Sequence, residues 1–180
     1  PTVAGLAVAI TSEEMSGSDL SDYQTIPQRV NQESAPLSFA QQRLWFLEQM
    51  EPNRSNYHIC QAVRLSGALK VSALQLALDA IVAHHEVLRT NFIYEDGNPI
   101  QVIGAPRPVE WASVDLQEYP PTRQQEEVQL WLQHECLRPF NLSEGLMLRG
   151  GLAQIGPQEH ILLLVMHHIA SDGWSRGILL

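Results

Sequence analysis

The chain has 180 residues, enough for one domain or one large lobe, and 44% of them are apolar, so it can bury a core. A formal net charge of −9 with no Lys/Arg-rich run argues against nucleic acid or an anionic lipid surface as a partner. The longest apolar runs, residues 1–10 and 161–166, are too short to span a bilayer, and no basic residue precedes Arg29.

Neither a membrane span nor a signal peptide is therefore expected, and a cytoplasmic location is. Charged residues are only 17% of the chain, so part of its surface is expected to be covered by another part of the same protein. Residues 1–35 read as a largely disordered linker. Ser, Thr, Asp, Glu and Gln dominate after Ile10, too polar to offset chain entropy by burial. Pro36 marks the entry to folded structure, so the domain is expected over residues 36–180.

A first helix is expected over 38–49. Ser38 is the N-cap and Gln41 completes a capping box, while Leu44, Leu47 and Met50 or Phe46 form the apolar stripe. Residues 57–65 alternate as a strand. A second helix is expected over 71–87, with Leu74, Leu78, Ile81, His85 and Leu88 on one side. Asp96-Gly97-Asn98 joins two short strands, 91–94 and 99–103, because the glycine supplies positive φ. Another strand is expected near 109–114.

Pro120-Pro121-Thr122 starts a third helix, with Thr122 and Gln125 repeating the capping-box spacing. Val128, Trp131, Leu132, Glu135 and Cys136 mark its inner side, and Pro139 ends it. Strands follow at 147–154 and 160–168. A new apolar-periodic segment begins at Trp174 and stops on three apolar residues, so the chain reads as cut. Cys60 and Cys136 lie in no CxxC pattern and read as two buried thiols in a reducing compartment.

Residues 161–166 are six apolar residues in a row, which suits a strand covered on both faces. His167 and His168 follow. Successive strand side chains point to opposite faces, so the two imidazoles diverge. That argues against a shared metal, which needs convergent ligands, and for one task per histidine. Asp172 and Gly173 complete the pattern HHxxxDG. A histidine at a buried strand's end serves as a base or hydrogen-bond partner near neutral pH. The carboxylate fixes the local architecture if it pairs with a cation, and Gly173 leaves room for a close approach. A pair of satisfied core histidines is the plainer alternative, and the Asp-Gly at fixed spacing weighs against it.

Two further segments accompany this motif. Residues 38–47, SFAQQRLWFL, resemble the opening motif of condensation domains, SxAQxRLWxL. Residues 85–92, HEVLRTNF, resemble the second, RHExLRTxF, with His84 in place of its arginine. Residues 166–175 resemble the third, MHHxISDGWS, with Ala170 in place of isoleucine. In order along the chain, these three resemble the N-terminal lobe of a nonribosomal peptide synthetase condensation domain.

The resemblance implies an α/β fold: a chloramphenicol acetyltransferase-like lobe, a mixed sheet with helices packed on it, one half of a two-lobed domain. The C-terminal lobe is absent. The implied reaction is amide formation. An acceptor aminoacyl amine attacks a donor acyl or peptidyl thioester, both carried on phosphopantetheine of partner carrier proteins, in a tunnel between the lobes. Upstream and downstream peptidyl carrier proteins, an adjacent adenylation domain and the chain's own C-terminal lobe are the implied partners. No cofactor or metal is implied for the domain itself.

His168 matches the catalytic histidine, as general base or as a group that positions and stabilises the tetrahedral state. The sequence leaves both open. His167 matches the supporting histidine, and Asp172 the aspartate of a salt bridge. Arg89, on the buried side of the second helix, is the expected partner, with Glu86 as its alternative. His85 is expected to be a hydrogen-bonded core histidine. His58, His134 and His160 show no partner pattern. Trp45, Trp131 and Trp174 read as packing groups, and Trp174 is also a candidate tunnel lining. The alternatives within this fold are an epimerisation-type domain, whose opening motif differs, and a non-catalytic recruitment domain, which typically lacks the second histidine. The isolated fragment is expected to be inactive.

Overall fold

The computed structural model describes residues 34–52 and 54–179. β1 (Ser34–Pro36), β3 (Thr90–Glu95) and β4 (Asn98–Ile103) form an antiparallel sheet in the order β1-β4-β3. β2 (His58–Ser66), β5 (Glu110–Asp115), β6 (Leu148–Gly156) and β7 (Glu159–His167) form a second sheet in the order β2-β7-β6-β5. β5 and β6 run parallel and the other pairs antiparallel, so this sheet is mixed. A parallel pair needs a crossover, and α3 (Pro121–Leu137) lies in it. The other helices are α1 (Phe39–Met50), α2 (Val71–His84) and α4 (Gly173–Leu179), with a 3₁₀ turn over Glu86–Arg89.

β7 is covered on both faces, as its apolar run requires. Leu162, Leu164 and Met166 pack with Leu78 and Val82 of α2. Leu163 and Val165 pack on the opposite side with Phe140 and with Trp131 and Leu132 of α3. Burying each such side chain contributes about 1.5–3 kcal/mol. Two glycines of β6 let the tryptophans lie close on the sheet. A Cβ on Gly150 would stand 2.8 Å from the Trp111 ring, and one on Gly151 would stand 2.9 Å from Trp131.

Local signals explain several boundaries. The Ser38 hydroxyl accepts the Gln41 N–H at 3.2 Å, and the Gln41 side-chain oxygen accepts the Ser38 N–H at 2.9 Å. The β3–β4 turn places Asp96 at φ 49° and Gly97 at φ 83°. Two consecutive residues at positive φ make the tight hairpin turn that matches strand twist.

Four expectations need correction. Ser34 and Ala35, assigned to the linker, belong to β1, where their backbone pairs with Val102 and Gln101; residues 1–33 lie outside the described residues. α2 ends at His84 rather than Val87, and the chain continues as the 3₁₀ turn. Thr122 does not cap α3: the helix begins at Pro121, whose fixed φ and missing N–H suit the first helical position. Cys60 is exposed and Cys136 half-buried, so the thiols are not two core groups. Partial desolvation of the Cys60 sulfur, then a side-chain hydrogen bond with Cys136, push that thiol up to about 12.

Candidate functional site

The strand alternation separates the paired histidines as expected. His167 closes β7 at 1% exposure, on the face that packs against α3 and Phe140. His168 is the first residue past the strand and is exposed. Its backbone N–H still donates to the Tyr57 carbonyl at 2.8 Å, so the sheet holds its main chain.

The His168 ring is oriented by its own loop. Nδ1 lies 2.6 Å from the Ser171 carbonyl oxygen. A carbonyl only accepts, so Nδ1 carries the proton in the neutral ring and Nε2 is a bare lone pair. The ring borders an open cavity of about 670 Å³, also lined by Ser38, Gln41, Tyr57, Val87 and Ser175. An imidazole in this state can accept a proton or a hydrogen bond from a group in the cavity.

His167 has a different environment. Its Nδ1 accepts the Ile169 N–H at 3.1 Å. Desolvation by burial, then the proximity of His58 and His168, hold its pKa at about 4. The ring is therefore neutral near pH 7 and supports the turn that follows β7. His58, opposite it across β2 and β7, meets it ring to ring at 5.9 Å.

The expected Asp172–Arg89 pair does not form. The Asp172 carboxylate is exposed and accepts the Ser175 hydroxyl at 2.6 Å and the Ser175 N–H at 2.8 Å. These bonds, the hydroxyl first, hold its pKa below the usual carboxylate range. Asp172 thus caps the start of α4. Arg89 donates to the Gly104 carbonyl at 2.5 Å and reaches Glu86 at 3.5 Å. The physical reason is the early end of α2. The 3₁₀ turn gives residues 86–89 a different rotation from the helical one, and Arg89 takes the nearest acceptors.

The same change leaves His85 exposed at the helix C-cap instead of in the core. Trp174 is 83% exposed and packs nothing in the core. A Cβ on Gly173 would meet nothing within 4 Å, so the space beside it is open. Trp131 does pack, against Gly151, and Trp45 stacks on Tyr94 with centroids 5.8 Å apart. His134 is exposed beside Glu135, whereas His160 is buried in β7. His58 was the residue missed, since its partner is set by cross-strand register and no spacing along the chain reveals it. Among the described residues no group of three or more His, Cys, Asp or Glu is placed to hold a metal ion. No described helix is long and apolar enough to cross a membrane.

A mixed sheet with helices on it and a His-His pair split at a strand end fit the α/β lobe expected from the sequence. The family model for the condensation domain matches residues 31–180. The chain is 44% identical over 148 residues to one of the linear gramicidin synthase subunits of Brevibacillus parabrevis, covering 82% of this chain and 3% of that one. It is 39% identical to malpibaldin synthetase of Mortierella alpina, over 100% of this chain and 3% of that protein. The chain thus spans a small fraction of the length of these relatives.

Among solved structures, the starter condensation domain of rhizomide synthetase RzmA matches with a TM-score of 0.73 at 27% identity, covering 81% of this chain and 36% of that one. The first condensation domain of the calcium-dependent antibiotic synthetase, in complex with a substrate analogue, matches with a TM-score of 0.73 at 26% identity, covering 81% and 35%. The chain belongs to the condensation-domain family of nonribosomal peptide synthetases.

Proposed function

We propose that this lobe carries the His168 side of an amide-forming site. The cavity at His168 receives the amine of an acceptor aminoacyl thioester as it attacks a donor acyl or peptidyl thioester. The observation that supports this reading is the exposed His168 ring at the edge of the cavity, with Nδ1 bonded to the Ser171 carbonyl, which leaves Nε2 as the ring's acceptor. A lone pair so oriented accepts a proton from the attacking amine or holds it by a hydrogen bond.

His167, Asp172 and Gly173 shape the turn that presents His168. Arg89 braces the adjoining 3₁₀ turn, and Trp174 stands exposed where a tunnel wall is needed. Peptidyl carrier proteins bring both substrates on phosphopantetheine, and a second lobe closes the tunnel. Tethering both reactants at one site removes much of the entropic barrier. Residues 1–33 serve as a linker in this reading, with an adenylation domain as a neighbour in the cytoplasm. The lobe alone is inactive in this reading, because the opposite wall is missing.

Mass spectrometry of loaded carrier domains in an intact module tests the proposal. The native protein should move the donor onto the acceptor amine, and His168→Ala should leave most of both thioesters unreacted on the time scale of the native reaction. Undiminished dipeptide on the acceptor carrier in the variant would overturn it.

A further inference from the structure

β2 and β7 set His58 directly opposite His167. The ring centroids are 5.9 Å apart, with an interplanar angle of 68°. Each ring has one nitrogen committed to the backbone, and the two commitments are opposite in kind. His58 Nδ1 lies 2.7 Å from the Cys136 carbonyl oxygen. In the neutral ring that nitrogen must donate, so Nε2 is a bare acceptor. His167 Nδ1 accepts the Ile169 N–H, so its Nε2 must carry the proton. Burial favours the neutral form of both rings.

The two remaining nitrogens, His58 Nε2 and His167 Nε2, are buried and have no partner among the described protein atoms. One is an acceptor and the other a donor. Leaving a buried polar group unpaired costs about 1–3 kcal/mol. The centroid separation leaves the nitrogens beyond the roughly 3 Å of a direct hydrogen bond. A polar contact across such a gap is bridged by water where both ends can bond to it. Phe140 borders both rings, edge-on to His58 at 5.0 Å and to His167 at 5.8 Å.

We propose that His58 is a positioning residue for the active site: its Nε2 accepts, through one buried water, the Nε2–H of His167. The bond fixes the His167 tautomer and ring. It thereby secures the Ile169 N–H contact and the turn from which His168 projects. The backbone carbonyl of Cys136 on α3 sets the chain of polarity: carbonyl, His58, water, His167, Ile169. The effect on turnover rests on the His168 reading above, but the tautomer pattern does not.

Long-range proton–nitrogen spectra of the intact condensation domain, labelled at histidine, test the proposal. At neutral pH the expected pattern is His58 protonated at Nδ1 and His167 at Nε2. His58→Phe should release His167 into mixed tautomers and lower kcat for condensation with KM for the acceptor carrier unchanged. His58→Gln, which keeps an acceptor, should restore both. A His58 ring protonated at Nε2, or a His167 tautomer indifferent to His58→Phe, overturns the proposal. If the phenylalanine variant does not fold, the native spectrum alone decides. Correct tautomers together with full activity of His168→Ala would instead sink the catalytic reading and leave this one standing.

Discussion

His167 and His168 are neighbours in sequence with opposite surroundings, and pH separates them. Burial lowers the His167 pKa from 6.5 to about 4. Above pH 6.5 the ring is neutral in the folded and unfolded chain alike, and the stability it allows is fully present. As pH falls from there toward about 4, the unfolded chain takes up a proton that the folded ring refuses, so stability declines. The expected loss is about 3 kcal/mol, levelling off below the folded value. Urea unfolding of the condensation domain at about pH 8 and about pH 4.5 measures it against His167→Gln. The native protein should lose more stability than the variant across this interval. Equal losses would mean that the ring is not desolvated in the fold.

At the scale of elements, the capping box of α1 is the most local feature and the easiest to weigh. Ser38→Ala removes one of its two reciprocal bonds and should cost about 1 kcal/mol by denaturant unfolding, with Ser38→Gly milder. An alanine variant as stable as the native protein would show that the cap contributes nothing. Asp172 and Arg89 serve different elements, one capping α4 and the other bracing the 3₁₀ turn. A double-mutant cycle of Asp172→Ala and Arg89→Ala should therefore be additive within about 0.5 kcal/mol. A coupling well above that would restore the ion pair expected from sequence.

These elements also show what could be read in advance. The α1 cap, the Asp96-Gly97 turn and the doubly covered β7 each follow from residues close in sequence, where propensity and hydrogen bonding act locally. The end of α2 did not. Leu88 stays buried after the helix has given way to a 3₁₀ turn, so the apolar spacing continues unbroken and gives no sign of the changed rotation. The His58–His167 pairing was hidden for another reason. It depends on the register of two strands about a hundred residues apart, and only pairing β2 with β7 discloses it.

For the whole molecule, the cavity at His168 is open and α1 lines part of it, while several large apolar side chains are left exposed. Phe39 is 91% exposed, Met50 64% and Trp174 83%, and α1 buries no residue fully. We propose that a second lobe covers this side in the complete domain. Exposed apolar groups of this kind drive association when left bare. Light scattering on the isolated chain should show a mass that rises with concentration, whereas a monomer at every concentration would weaken this expectation. The division of labour between the two histidines is tested most directly by the single-turnover rate of condensation in the intact module. His168→Ala should slow that rate by about 10²–10⁴-fold while changing stability by less than about 0.5 kcal/mol. A stably folded variant that condenses its substrates at the native rate would contradict the catalytic role of His168.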